Sequence, residues 1–196
     1  VFVKVGTGIG CGFVSNGRIH RGAQGSAGDI GHVQVTSDTR QICRCGKTDC
    51  LETHAGGAAL AREGTRLAQS GESERLSTIL SDRGGITARE VIRAARVGDP
   101  AAARLLDQSA RLVGQTLASL ANFFNPSLIV VGGGVARAGD AYLATIRQVI
   151  YARSTALATR DLLVQLSRLG NRAGVIGGAS MVLDELFSAR QLARWI

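Results

Sequence analysis

The sequence predicts an α/β fold, a mixed sheet with helices on its faces. Three observations carry that expectation. Leu128-Ile129-Val130-Val131 is a fully apolar run, as a strand buried inside a sheet requires, and Gly132-Gly133-Gly134 follows it at once, ahead of a helical stretch. Residues 1–5 alternate weakly, and the pair Asn16-Gly17 that follows is a strong two-residue hairpin signal. From Leu51 to Phe124 the apolar spacing turns helical. The 196 residues, 45% hydrophobic with 26 glycines and two prolines, suffice for one sizeable domain.

Taken in order, Val1-Phe2-Val3-Lys4-Val5 reads as the first strand. Gly6-Thr7-Gly8-Ile9-Gly10 follows, with glycine at every second position. Such a turn exposes backbone N–H groups and lets a phosphate approach closely; an ordinary glycine-rich turn between strands has the same pattern. Residues 11–14 form the return strand and Arg18-Ile19-His20 the next one. Cys11 is expected as a buried small hydrophobe and His20 as a solvated surface residue. The four-glycine segment from Gly22 to Gly31 is too irregular for a helix and can close over a ligand. Val33–Val35 reads as a short strand.

The helical half begins at Leu51, is weakened at Gly56-Gly57, recovers over 58–69 and breaks at Gly71. Residues 74–82 make a short helix that Gly84-Gly85 stops. Thr87 and Glu90 form a capping box for a helix to about Val97. Asp99 as N-cap and Pro100 at the first helical position open the longest helix, which runs to Phe124 with Leu105, Leu112, Leu117, Leu120 and Phe124 along one side. After the apolar strand and its glycines come a helix from about Ala138, a strand over 162–166, a closing helix over 175–187 and a last helix through Trp195.

The chemistry concentrates between Asp29 and Glu52. Cys43, Cys45 and Cys50 lie within eight residues, and His32 precedes the first by eleven. One imidazole and three thiolates complete the tetrahedral shell that structural zinc prefers. Gly46 behind the Cys-x-Cys pair suits a tight knuckle. Inert thiols, or one disulfide with a leftover cysteine, are the alternatives, though nothing points to an oxidising compartment. A metal gathering His32 and Cys50 would draw Asp29 and Glu52 toward one spot, as acceptors for sugar or polyol hydroxyls. Singly, Asp29 reads equally well as a turn residue and Glu52 as a first-turn helix acid. His54 reads as a partly exposed helix histidine.

Gly-x-x-Gly-x-x-Gly-Asp-Ile-Gly-His followed by Cys-x-Cys-Gly-x4-Cys-Leu-Glu resembles the ROK family of repressors, open reading frames and sugar kinases. The resemblance covers nearly the whole chain. It implies the C-terminal lobe of an actin-like (ribonuclease-H-like) ATPase fold over residues 1–196, with a zinc-knuckle loop. It assigns zinc to His32, Cys43, Cys45 and Cys50, and sugar hydroxyls to Asp29, His32 and Glu52. Gly6, Thr7, Gly8 and Gly10 would form the second phosphate-binding hairpin, with Thr7 facing the phosphates, and Gly132, Gly133 and Gly134 would lie against adenosine. ATP and Mg²⁺ are implied only for a kinase. The kinases usually carry Glu where this chain has Asp29, one methylene shorter.

In that family the catalytic Asp and the first phosphate loop, Asp-x-Gly-x-Thr, belong to the N-terminal lobe, and neither occurs here. No catalytic residue is therefore assigned, and the chain alone is expected to be inactive, a fragment of a longer protein. Asp29, the Arg- and Ala-rich composition and the segment Gly22 to His32 resemble the regulator branch, whose members read DNA through a helix-turn-helix outside this chain. A glucokinase-like parent is the alternative. Net charge is +8 with a pI near 10.3. The basic residues are spread along helices, which favours an acidic partner lobe at least as much as direct nucleic-acid contact. No apolar run approaches the roughly 20 residues that span a bilayer. A cytoplasmic homodimer is the expectation.

Overall fold

The structure, a computed structural model, describes residues 1–188; the expected helix through Trp195 lies outside the described residues. Residues 1–166 form one compact unit and the segment from Ser167 a second, smaller one.

The first unit contains a five-stranded sheet. Strand β1 (Phe2–Val5) pairs antiparallel with β2 (Ile9–Ser15), and β2 pairs antiparallel with β3 (Arg18–His20) through the Asn16-Gly17 turn. Both turn residues have positive φ, 50° and 73°, as the type I′ hairpin demands. On its other side β1 pairs parallel with β4 (Leu128–Gly132), which pairs parallel with β5 (Leu163–Leu166). The order β3-β2-β1-β4-β5 makes the sheet mixed. Parallel pairing of β1 and β4 requires a long crossover, and the helices between them supply it.

Those helices are α1 (Leu51–Ala55), α2 (Gly57–Gln69), α3 (Glu74–Arg83), α4 (Ala88–Arg96) and α5 (Pro100–Phe124). After β4 come a 3-10 turn (Val135–Ala138), α6 (Asp140–Arg153) and the short α7 (Ala156–Thr159). One apolar cluster joins Val3, Val5, Ile129, Val131 and Val164 of the sheet to buried residues of α1 through α6. Within this unit the helices thus cover one sheet face, while Lys4 and Leu163 on the alternate positions are exposed.

The caps act as the residue types require. Thr87 and Glu90 form the reciprocal capping box of α4. Asp99 accepts the Ala102 N–H at 2.8 Å to cap α5 and also takes the Ser73 hydroxyl at 2.5 Å, while Ser73 caps α3 through the Leu76 N–H at 3.1 Å. Gly84 at φ 70° and Asn125 at φ 43° end α3 and α5 in left-handed conformation.

Three expectations need correction. Val33–Val35 is not a strand; one antiparallel bridge, Gln34 to Cys50, replaces it. Of the expected apolar side of α5 only Leu117 is fully buried; Leu105, Leu112 and Leu120 are partly buried and Phe124 is 52% exposed, and the buried face joins Leu106, Val113 and Leu117 to small residues including Ala102, Ala110, Gly114 and Ala121. The reason is close helix contact: a Cβ on Gly114 would lie 2.8 Å from Val149 Cβ of α6. The segment after the triple glycine starts as the 3-10 turn, with α6 beginning only after Gly139 at φ 89°. In the second unit, a 3-10 turn (Gly170–Arg172) leads into α8 (Ala173–Leu186).

Candidate metal and ligand site

The loop between Ile30 and Leu51 is held by backbone contacts before any ligand is considered. The Cys43 N–H reaches the Lys47 carbonyl at 2.7 Å, and the Gly46 N–H reaches the Cys43 carbonyl at 2.9 Å. Gly46 sits at φ 85°, which makes this turn possible. Asp49, whose side chain is 1% exposed, binds the loop from within. Its carboxylate accepts the Thr39 hydroxyl at 2.5 Å and the Arg40 and Gln41 N–H groups at 3.0 and 2.9 Å, and lies 3.0 Å from His54 Nε2. The Thr39 hydroxyl foremost holds the Asp49 carboxyl at about 2, below the usual carboxylate range. His54, partly exposed as expected, is thus the partner of Asp49 and not a member of the cysteine cluster.

His32, Cys43, Cys45 and Cys50 converge: their ligand atoms all lie within 4.8 Å of one another. His32 Nδ1 is 3.4 Å from Cys43 Sγ, and the Cys45 and Cys50 sulfurs are 3.7 Å apart. A tetrahedral centre with zinc–sulfur bonds of about 2.3 Å has sulfur–sulfur edges of about 3.8 Å, so the spacing fits a metal. It excludes a Cys45–Cys50 disulfide here, whose sulfurs would be about 2.05 Å apart, and all four cysteines are free. The thiols differ in environment. Burial pushes Cys50 up to about 12, while the Lys47 backbone N–H pulls Cys45 down. A bound cation is what would hold all three sulfurs as thiolates together. Cys11 stands apart, half-buried and pushed by burial to about 11.

The carboxylates flank this cluster. Asp29, 61% exposed, places Oδ1 3.9 Å from His32 Nε2, so the two ring nitrogens face opposite groups. Glu52 is nearly buried at the start of α1, with Oε1 4.0 Å from Cys43 Sγ and Oε2 accepting the Ile9 N–H at 3.3 Å. Arg44 Nε lies 2.9 Å from Glu52 Oε1. Nothing in the sequence distinguished Arg44 or Asp49 from surface loop residues.

The glycines divide by role. Gly6, Thr7 and Gly134 line a cleft of about 980 Å³ together with Lys4, Arg89, Arg93, Arg96, Arg137 and Glu90. Gly8 instead sits against Glu52: a Cβ there would meet Oε2 at 2.4 Å. Gly10 borders open space, and Gly132 ends β4. Gly133, at φ 95°, lets the chain pass the end of β1, where a Cβ would stand 2.3 Å from the Val5 carbonyl oxygen. The break at Gly56-Gly57 also has a positive purpose. The Gly57 and Ala58 N–H groups at the start of α2 reach the Gly6 and Thr7 carbonyls at 2.6 and 3.1 Å. The first glycine turn is therefore clamped to a helix N-terminus.

The ROK family profile matches residues 1–185. A glucokinase of Halalkalibacterium halodurans is 39% identical over 94% of this chain and 56% of its own length. The DNA-binding transcriptional dual regulator NagC of Escherichia coli is 34% identical over 89% of this chain and 42% of its own. The crystal structure of a ROK family glucokinase from Streptomyces griseus, in complex with glucose and AMPPNP, superposes with a TM-score of 0.77 at 34% identity, covering 92% of this chain and 59% of that one. The chain spans about half the length of such relatives, and its mixed sheet and flanking helices are those of the actin-like sugar kinases. It belongs to the ROK family.

Proposed function

We propose that this chain is the sugar-sensing effector lobe of a ROK transcriptional regulator, with structural zinc on His32, Cys43, Cys45 and Cys50 and a hexose or amino sugar over Asp29, His32 and Glu52. The observation that carries the reading is the two-sided ring of His32. Its Nδ1 faces the Cys43 sulfur at 3.4 Å while its Nε2 faces Asp29 at 3.9 Å. Zinc there supplies a structural tie that fixes the ring and the knuckle. His32 then offers Nε2 to one hydroxyl, and Asp29 and Glu52 accept from others. The regulator is favoured because Asp29 is one methylene shorter than the usual kinase Glu, and a sensor needs only to bind its sugar. The similarity to NagC supports it.

The cationic cleft supports a second reading, the C-terminal lobe of an ATP-dependent sugar kinase. Its glycine turn and four arginines suit nucleotide phosphates and Mg²⁺, and the similarity to a glucokinase agrees. On either reading the active unit needs an N-terminal lobe outside this chain. The regulator would act as a cytoplasmic homodimer and reach DNA through a helix-turn-helix outside this chain. The test uses the full-length protein with glucose, xylose, N-acetylglucosamine and glucosamine in thermal-shift assays, then with ATP and Mg²⁺. One sugar should raise the melting temperature in proportion to ln(1 + [L]/Kd) without forming sugar phosphate. Turnover to a sugar phosphate would establish the kinase reading instead. Indifference to every sugar would refute the site.

A further inference from the structure

We infer that Arg44 is a positioning residue: it holds the Glu52 carboxylate in orientation and ties it to the metal knuckle. The inference rests on the sugar-site reading above. Arg44 lies between two of the clustered cysteines, on the turn closed by Cys43 and Lys47. Its Nε is 2.9 Å from Glu52 Oε1 and its Nη2 3.4 Å from Oε2, so one guanidinium faces both oxygens. Exposure is lopsided: 77% for the arginine side chain against 9% for the glutamate.

Glu52 is held from a third segment as well. The Ile9 N–H donates to Oε2 at 3.3 Å, and a Cβ on Gly8 would lie 2.4 Å from that oxygen and 3.5 Å from Arg44 Nη2. The β1–β2 turn thus leaves out a side chain where the two charged groups meet. A carboxylate has about four lone-pair positions. Arg44 takes two and Ile9 a third; the Cys43 sulfur is a long contact to Oε1 at 4.0 Å, and a metal-bound sulfur does not donate, so about one position, in a fixed direction, is left for a ligand hydroxyl. Removing Arg44 frees the carboxylate to rotate and to accept water in place of that hydroxyl. An exposed arginine adds little to stability by such a pair; its consequence lies in the direction of the carboxylate.

The experiment uses full-length protein and the sugar of the panel that gives the largest thermal shift. Sugar affinity is measured by calorimetry for wild type, Arg44→Ala, Arg44→Lys, Glu52→Gln and the double variant Arg44→Ala/Glu52→Gln, with metal content read on each. Arg44→Ala should weaken sugar binding roughly tenfold with metal content unchanged. Arg44→Lys should recover only part, because a point charge cannot span both oxygens. In the Glu52→Gln background the same substitution should change affinity less than about twofold. Equal losses in both backgrounds, or no loss in Arg44→Ala, overturn the role. A sugar-independent readout accompanies it: metal extraction by a chelator should be faster than wild type in Arg44→Ala and in Glu52→Gln, and no faster in the double variant than in the single variants. Wild-type extraction rates in both single variants overturn the tie to the knuckle. A protein that binds its metal but no sugar refutes the site itself, and the positioning role with it.

Discussion

Replacing Gly57 by alanine should detach the first glycine turn from α2, at a cost that the structure sets. The new methyl would stand 2.8 Å from the Gly6 carbonyl oxygen, 3.3 Å from its carbon and 3.4 Å from Thr7 Cα. All three are backbone atoms, so no side chain can swing away and the turn must retreat. The retreat weakens two hydrogen bonds, from Gly57 to Gly6 and from Ala58 to Thr7. Each contributes about 1 kcal/mol net. Alanine returns at most about 1 kcal/mol of helix preference, and less at a first-turn position. The expected loss is about 1–2 kcal/mol, or roughly 2–4 °C of melting temperature per kcal/mol for a domain of this size. Gly85→Ala is the control, because its Cβ meets nothing within 4 Å and its φ is not positive. That variant should stay within about 0.5 kcal/mol of wild type. Urea unfolding and thermal melts of both proteins provide the comparison. Gly57→Ala melting with wild type, or Gly85→Ala losing as much, would refute the clamp.

Cys50→Ser should abolish stoichiometric metal binding and leave a melting temperature that no longer responds to chelator; unchanged metal content by elemental analysis would contradict the assignment. Asp99→Ala removes the α5 cap and the partner of Ser73, for a loss of about 1–2 kcal/mol in denaturant titrations. Burial pushes the Asp99 carboxyl up, but the Ala102 N–H and the Ser73 hydroxyl pull it to a net value below the ordinary one. Its contribution is thus fully present above about pH 4 and fades as pH falls through the lower folded value, so Asp99→Asn should flatten the acid limb of the stability profile. Gly64→Ala places a methyl 2.6 Å from Val91 Cγ2 and 2.9 Å from Ile86 Cγ2 between α2 and α4. Overpacking of that kind costs about 1–3 kcal/mol, and Val91→Ala should make the double variant less than additive, as calorimetry of the single and double variants would show.

Much of the fold was legible because its punctuation is local. Thr87 with Glu90, Asp99 with Pro100 and Asn16-Gly17 each act within a few residues, so their types announce the boundary. The convergence of His32, Cys43, Cys45 and Cys50 was legible because sulfur and imidazole at knuckle spacing have few other uses. What escaped was set by contacts distant in sequence. Gly56 and Gly57 weaken a helix when read locally, yet they exist to admit Gly6 and Thr7. Gly133 clears Val5, which a neighbouring strand supplies. On α5 the periodicity picks out Leu117 correctly but weights large residues over the small ones, while close approach to α6 selects alanine and glycine. Asp49 and Arg44 look like ordinary polar loop residues until the loop closes on them.

The parallel pairing of β1 with β4 bears on how the chain is made. Phe2 sits opposite Val130. The β1–β2–β3 hairpins therefore leave the ribosome with one edge of β1 unpaired, and that edge must wait for β4 to be translated. At roughly 5–20 residues per second the delay is on the order of ten seconds. For that interval the edge of β1 that β4 will cover stays open to wrong partners, a hazard that a purely helical lobe, with no strand edge to wait for, does not run.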